Sequence, residues 1–331
     1  MQLQQRINGF VKLGNFLSTE VFKNEELINS ASAHNGWFTK ENIIFALQGW
    51  SEILTEEKLN KWLSPYSFPE KQPKTVAIVI AGNIPLVGFH DFLSVLITGN
   101  KVLAKLSSND TVLLPFLAKK LIEIEPGFAG LIEFTEDRLS NFDAVIATGS
   151  NNTARYFEYY FGKYPSIIRK NRNSVAILSG NETPEQLDAL AEDIFRYFGL
   201  GCRNVSKLFL PKDYNFDPFF NAMYGWKEII NNNKYINNYD YNKAVYLMSN
   251  IELLDNEFLL LKEDNGFSSP ISVVFYQYYE SEDELRKYLS ENKEHIQAIV
   301  SEKDIPFGAA QKPQLWDYAD GVDTISFLLE L

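Results

Sequence analysis

Short, almost wholly apolar runs recur between Thr75 and Leu178, each closed by a glycine or a polar turn and mostly followed by a stretch with helical spacing. No other feature restricts the chain as much. Thr75 to Ala81 reads Thr-Val-Ala-Ile-Val-Ile-Ala and closes on Gly82; a continuous run this short, rich in β-branched residues, suits a strand buried on both faces of a parallel sheet. Leu86 to Thr98 has helical spacing and ends on Gly99-Asn100, residues suited to a left-handed cap. Lys101 to Lys105 reads as a second strand, Leu113 to Glu125 as a helix and Asp143 to Thr148 as a third strand. After Gly149, Ser150 is placed to cap a helix over Asn151 to Phe161, and Ser174 to Leu178 adds one more strand. Such a βαβ series predicts an α/β fold with an open parallel sheet, whose ligands sit where strands end and helices begin.

The flanks look different. Leu3, Ile7, Phe10 and Val11, and again Ile43, Leu47, Trp50 and Leu54, recur at three and four, so the first seventy or so residues predict amphipathic helices. The proline-rich Ser64 to Lys74 is the natural joint before the first buried strand. At 331 residues, two domains are the default. Hydrophobic residues at 45% argue against disorder, and a net charge of −12 offers no general attraction for nucleic acid or an anionic membrane. Met1 to Leu17 is interrupted by polar and basic residues and no apolar run reaches membrane-spanning length, so a cytoplasmic protein is expected.

The chain has one cysteine, which excludes an internal disulfide and a thiolate metal cage. It lies in Phe198-Gly199-Leu200-Gly201-Cys202, at the end of a helical pattern opened by Thr183-Pro184. Glycines at 199 and 201 permit positive φ and favour a thiol displayed on a loop, with Arg203 and Lys207 close behind as cations that could favour thiolate. A small inert core side chain is the competing reading. Farther on, Ser206 to Leu210, Ile271 to Phe275 and Ile296 to Val300 read as strands. Phe216 to Ile230 and Glu282 to Asn292 read as helices, and the Asn/Tyr-rich Asn231 to Tyr239 as an exposed loop.

Three stretches carry chemistry beside the thiol. Gly82-Asn83 follows the first strand, where an asparagine amide can donate to an oxyanion or simply cap the next helix. Lys105-Leu106-Ser107-Ser108 ends the next strand with a cation and two hydroxyls, which suit a cofactor ribose or phosphate or merely face solvent. Thr148-Gly149-Ser150 leads into a helix N-terminus able to receive a pyrophosphate, or serves as an ordinary cap.

The order of these stretches resembles the aldehyde dehydrogenase superfamily, and more narrowly the acyl-CoA reductases that supply fatty aldehyde in bacterial luminescence. Asn83-Ile84-Pro85-Leu86 is similar to the superfamily's Asn-Phe-Pro-Leu, and Gly99 to Lys105 to its Ala-Gly-Asn-x-Val-x-x-Lys strand. Thr148-Gly149-Ser150 matches its Thr-Gly-Ser turn, and Gly199 to Lys207 its Gly-Gln-x-Cys-x-x-x-x-Arg with lysine in the arginine's place. Gln311 to Gly321 resembles the reductases' tail. The resemblance implies an aldehyde-dehydrogenase-like fold: a helical N-terminal segment over 1–74 packed on a nucleotide-binding domain over 75–178, a catalytic thiol domain over 179–305 and a C-terminal return over 306–331. It implies Cys202 as nucleophile, Asn83 as oxyanion donor, and Gly82, Lys105, Ser107, Ser108, Gly149 and Ser150 as cofactor contacts, with no metal.

Departures from the pattern refine the expected activity. Where hydrolytic aldehyde dehydrogenases carry Glu-Leu-Gly-Gly, this chain has Arg169-Lys170-Asn171-Arg172-Asn173, so the base that activates water is missing. An enzyme exchanging acyl groups between cysteine and CoA needs no such base. Arg169, Lys170 and Arg172 form either a basic turn in solvent or contacts to CoA phosphates. Ser108 stands where the superfamily places a ribose-binding glutamate, which removes a like-charge clash with a 2′-phosphate and favours NADPH, with NADH possible. Glu263 is the one candidate for the glutamate on the nicotinamide ribose, and His90 is either a proton shuttle or an ordinary helix residue. The expected activity is NAD(P)H-dependent reduction of an acyl-CoA to its aldehyde. The expected partners are an acyl-CoA and either a second copy of the chain or an acyl-supplying enzyme. The rival readings are a CoA-independent aldehyde or semialdehyde dehydrogenase and a non-catalytic nucleotide-binding subunit.

Overall fold

A computed structural model describes residues 1–331. It contains two compact units, Met1–Lys170 together with Gln314–Leu331, and Asn171–Pro313.

The first unit opens with four helices, α1 (Leu3–Thr19), α2 (Glu25–His34), α3 (Lys40–Ile53) and α4 (Glu56–Leu63). Asn24, Thr39 and Thr55 cap the last three by each accepting the backbone N–H three residues on. Then β1 (Thr75–Val79), α5 (Phe89–Ile97), β2 (Lys101–Lys105), α6 (Leu113–Ile124), β3 (Ile132–Thr135), β4 (Ala144–Thr148), α7 (Asn151–Phe161) and β5 (Ser166–Arg169) follow. The five strands form one parallel sheet in the order β3-β2-β1-β4-β5. The strand order reverses beside β1, so the crevice beyond the ends of β1 and β4 is its topological switch point. One face is buried under α5 and α6; Phe157 and Phe161 of α7 cover Ala77, Val145 and Ala147 on the other. Ile7, Phe10, Leu13 and Leu17 of α1 are completely or almost completely buried in the same core as Phe89, Phe92 and Leu117. Each such side chain contributes about 1.5–3 kcal/mol as an upper estimate, so the N-terminal helices are part of this core.

The second unit contains β6 (Asn173–Ile177), α8 (Pro184–Phe195), β7 (Val205–Pro211), α9 (Phe216–Met223), α10 (Asn233–Met248), β8 (Leu254–Asp255), β9 (Leu260–Glu263), β10 (Val273–Tyr279), α11 (Glu282–Glu291) and β11 (Ile296–Val300). Its six strands run in the order β11-β6-β7-β10-β9-β8, parallel except for β8 against β9. Leu285 and Leu289 of α11 pack on Val175, Ile177 and Phe209, while Tyr239 of α10 packs on Leu260, Val273 and Phe275.

Several expectations change here. The strand at 173–177 pairs with β7 and β11 of the second sheet, so the division falls after Lys170 and not after Leu178. Residues 314–331 rejoin the first unit, ending in α12 (Thr324–Glu330). Their attachment is polar as well as apolar. Trp62 Nε1 donates to the Tyr318 hydroxyl at 2.8 Å, Tyr66 shares a 2.8 Å hydrogen bond with Tyr318, and Tyr66 donates to Asp323 at 2.9 Å. Lys71 Nζ and Asn100 Nδ2 satisfy the last carbonyls of α12, whose Ile325 and Leu328 are fully buried. The Asn/Tyr stretch is helix, not loop: Tyr235, Tyr239 and Asn242 form its buried stripe, and Asn232 caps it. Leu86 opens no helix; it has φ of 58°, and α5 begins at Phe89 after Gly88, where a Cβ would come within 2.6 Å of Ile80.

Candidate functional site

In the second unit, Cys202 is exposed on the turn between the end of α8 and the start of β7. Three consecutive left-handed residues precede it: Tyr197 (φ 55°), Phe198 (φ 60°) and Gly199 (φ 75°). For the two aromatic residues this conformation costs roughly 1–2 kcal/mol each. Gly201 is not among the positive-φ residues, so only one of the two glycines serves as expected. Burial of the Tyr197 and Phe198 rings holds the bend, and the bend turns the chain outward at Cys202. Asn204 fixes the turn. Its Nδ2 donates to the carbonyls of Asp193, Ile194 and Arg196 at 3.1, 3.3 and 2.7 Å, and its Oδ1 accepts the Gly201 N–H at 2.8 Å. From β6, the Ser174 hydroxyl donates to the Cys202 carbonyl at 3.0 Å. Because Asn204 is buried, Asn204→Ala leaves several main-chain groups unsatisfied. We expect it to cost roughly 3 kcal/mol in urea unfolding and to slow alkylation of the thiol.

The cations expected beside the thiol have other attachments. Lys207 is fully buried on β7, donates to the Asp264 carbonyl at 3.0 Å and to Gln277 Oε1 at 2.8 Å, and lies over the rings of Phe209 and Phe267. Burial pushes its pKa down to about 8, with Asp264 opposing. Its ammonium braces the loop after β9. Arg203 Nε donates to the Ala310 carbonyl at 2.5 Å. Glu263 is exposed at the end of β9.

In the first unit, the segments that end β1, β2 and β4 border the switch point. Asn83 is half-buried in the segment after β1, and the Asn35 amide holds the Gly82 carbonyl at 3.0 Å. A Cβ on Gly82 would lie 2.7 Å from Ser107, so glycine is required where the two segments touch. Asp110 is buried behind them and accepts backbone N–H groups of Leu113, Leu86 and Val112; burial pushes its carboxyl up to about 6 against those hydrogen bonds. Lys105 Nζ donates to the carbonyls of Glu136 and Asp137 at 2.8 and 2.7 Å, while Ser107 is half-buried and Ser108 exposed. Ser150 caps α7 through the Thr153 N–H at 3.2 Å, and a Cβ on Gly149 would meet Thr153 and Phe157 at 3.0 Å. A glycine turn after β4 entering a helix of eleven residues, with a lysine and two serines at the end of β2 on the other side of β1, is a donor set that fits a dinucleotide phosphate.

A family model described as acyl-CoA reductase (LuxC) matches residues 17–219, more than half of the chain, including the Asn83 segment, the Lys105 strand, the Gly149 turn and Cys202. The chain belongs to the acyl-CoA reductase family. Among curated proteins, none matches it. Among solved structures, aldehyde dehydrogenase 21 from Physcomitrella patens in complex with the reaction product succinate aligns over 92% of this chain and 74% of its own, with a TM-score of 0.67 at 13% identity. An indole-3-acetaldehyde dehydrogenase complexed with NAD+ aligns over 91% and 72%, with a TM-score of 0.65 at 15% identity. The NAD+ complex of an aldehyde dehydrogenase from Bacillus cereus gives 87%, 69%, 0.61 and 15%. At such identities the likeness is one of fold, and the fold is that of the aldehyde dehydrogenases.

In this acyl-CoA reductase family member, the basic run that begins at the end of β5 is a solvated turn only in part: Lys170 is exposed, and Arg169 is not. Arg169 is buried, forms an ion pair with Asp91 on α5 and donates to Thr324 at 3.1 Å. Lys170 pairs with Glu158 at 2.8 Å, and Arg172 reaches the Lys293 and Ile296 carbonyls. His90 lies among Trp50, Trp62 and Tyr318, with Nε2 donating to the Leu315 carbonyl at 2.9 Å. Burial lowers its pKa, so it is a neutral structural imidazole at neutral pH. Asp110, Asp193 and Asn204 carry no motif of their own in the sequence. Asp193 left one trace there, an acid three residues after Leu190 on the apolar stripe of α8. No helix is long and apolar enough to cross a membrane.

Proposed function

We propose that the chain reduces an acyl-CoA thioester to the aldehyde, with Cys202 carrying the acyl group between the two half-reactions. The Cys202 thiolate attacks the thioester carbonyl, the C–S bond to CoA breaks, and CoA leaves as its thiolate. Asn83 and the Cys202 N–H are assigned to the oxyanion of each tetrahedral species. A reduced nicotinamide cofactor, when bound, supplies the hydride that reduces the thioacyl carbon. The hemithioacetal on Cys202 then expels the thiolate and releases aldehyde, with one proton taken up overall. Gly82, Lys105, Ser107, Ser108, Gly149 and Ser150 are assigned to the cofactor. The exposed Ser108, with no carboxylate, leaves room for a 2′-phosphate, hence NADPH, with NADH also admitted.

The observation that carries this reading is an exposed thiol on a turn fixed from three sides, in a member of the acyl-CoA reductase family. The commitment of Arg169 to Asp91, where hydrolytic relatives by resemblance keep a glutamate, agrees with acyl transfer to CoA over hydrolysis. The test is a panel of acyl-CoAs with NADPH or NADH, followed by nicotinamide absorbance, and the reverse reaction from aldehyde with and without CoA. Oxidation of reduced cofactor that depends on acyl-CoA, with CoA required in reverse, is expected. Aldehyde oxidation to free acid without CoA would overturn the proposal in favour of a CoA-independent dehydrogenase.

A further inference from the structure

Asp193 lies in the last turn of α8, fully buried, and its carboxylate is directed at a segment more than a hundred residues away in sequence. Oδ2 accepts the Gly308 N–H at 2.7 Å and Oδ1 the Ala310 N–H at 2.9 Å. The same segment is gripped from its carbonyl side, where Arg203, the residue after Cys202, donates to Ala310. The Asp193 carbonyl in turn accepts from Asn204, which closes the thiol turn. Gly308 has φ of 82°, and a Cβ there would lie 3.0 Å from the Ala189 Cβ, so the segment fits α8 only with glycine at that point.

We propose that Asp193 is a positioning residue for the thiol: its carboxylate fixes the Gly308–Ala310 segment, which through Arg203 fixes the turn that presents Cys202. The proposal rests on the reading of Cys202 as the acyl-carrying nucleophile. The carboxylate accepts both N–H groups with charge-assisted hydrogen bonds; a protonated carboxyl loses that charge, and its O–H oxygen is the poorer acceptor, so the grip weakens. The charged groups acting on Asp193 are Arg203, which favours the carboxylate, and Glu192, which opposes it and is itself paired with Arg196. Burial outweighs them and pushes the carboxyl up to about 6, so the clamp is at full strength above that pH and weakened below it.

The test compares the full-length wild type with Asp193→Asn, and separately with Gly308→Ala, which displaces the segment without touching the carboxylate. Two rates are followed across the pH range around 6: acyl-adduct formation on Cys202 from acyl-CoA by intact mass, and alkylation by iodoacetamide. A displacement of this kind costs about 10²-fold in the acylation rate at neutral pH. The wild-type to Asp193→Asn ratio is expected to fall toward one below about pH 6, because the wild type's grip then weakens too. Taking the ratio cancels titration of the thiol itself. Gly308→Ala is expected to be slow at every pH and not additive with Asp193→Asn. Wild-type rates in Asp193→Asn, or a ratio independent of pH, would overturn the proposal. A wild type that alkylates but forms no acyl adduct would overturn the nucleophile reading, and the alkylation ratio would still judge Asp193.

Discussion

Cys202→Ala is expected to abolish acyl-CoA-dependent oxidation of reduced nicotinamide, a loss of about 10⁴-fold or more, while leaving the protein folded. The side chain is exposed, so truncating it opens no cavity in the core. The main-chain bonds that hold the turn, from Ser174, Gly201 and Asn204, do not involve the sulfur. Asn83→Ala is expected to be slow and measurable, down about 10²–10³-fold, since one oxyanion donor of two is removed. Intact mass separates the roles: after acyl-CoA is added, wild type and Asn83→Ala should gain the acyl group, and Cys202→Ala should gain nothing. An adduct on Cys202→Ala would place the nucleophile elsewhere. Turnover by that variant would remove the covalent intermediate altogether.

The elements legible in the sequence are those whose surroundings are uniform. β1, β2 and β4 are central strands of a parallel sheet, buried on both faces, and such strands are written as unbroken apolar runs. β3 and β5 are edge strands four residues long, half-polar, and they give no such signal. α10 is hidden for a related reason: its buried residues are tyrosine and asparagine, so the helical period is not marked by aliphatic residues. β6 is legible as a strand but not as a strand of the second sheet, because an apolar run states that a strand is buried and not which neighbours it joins. In the candidate site the thiol and the strand-end segments carry local signatures of glycine, asparagine and lysine. Asp193 and Asp110 act on main-chain N–H groups, which every residue possesses, so no partner residue type marks them. Arg169 is legible as a departure from the family pattern, but its burial is not.

That burial makes the loss of Arg169 costly to the fold. Arg169→Met removes the partner of Asp91, a carboxylate that is itself buried on α5, and breaking a buried pair on one side costs roughly 3–5 kcal/mol. The contact to Thr324 at the start of α12 is lost with it. Urea unfolding should register the full loss for Arg169→Met and recover most of it in Arg169→Met combined with Asp91→Leu, because the pair replaced together leaves no stranded charge. If both variants unfold alike, the ion pair is not what Arg169 contributes. Arg169→Glu is the sharper case. It restores the residue type that hydrolytic relatives use to activate water, but sets a second carboxylate against Asp91, where two like charges cannot both remain ionised without strong repulsion. It should therefore be less stable than Arg169→Met and, on the proposed chemistry, should release no free acid from an acylated Cys202. Acid release by a stable Arg169→Glu would mean that this chain lacks hydrolysis for want of one side chain, and not because α5 and β5 are bound together at that point.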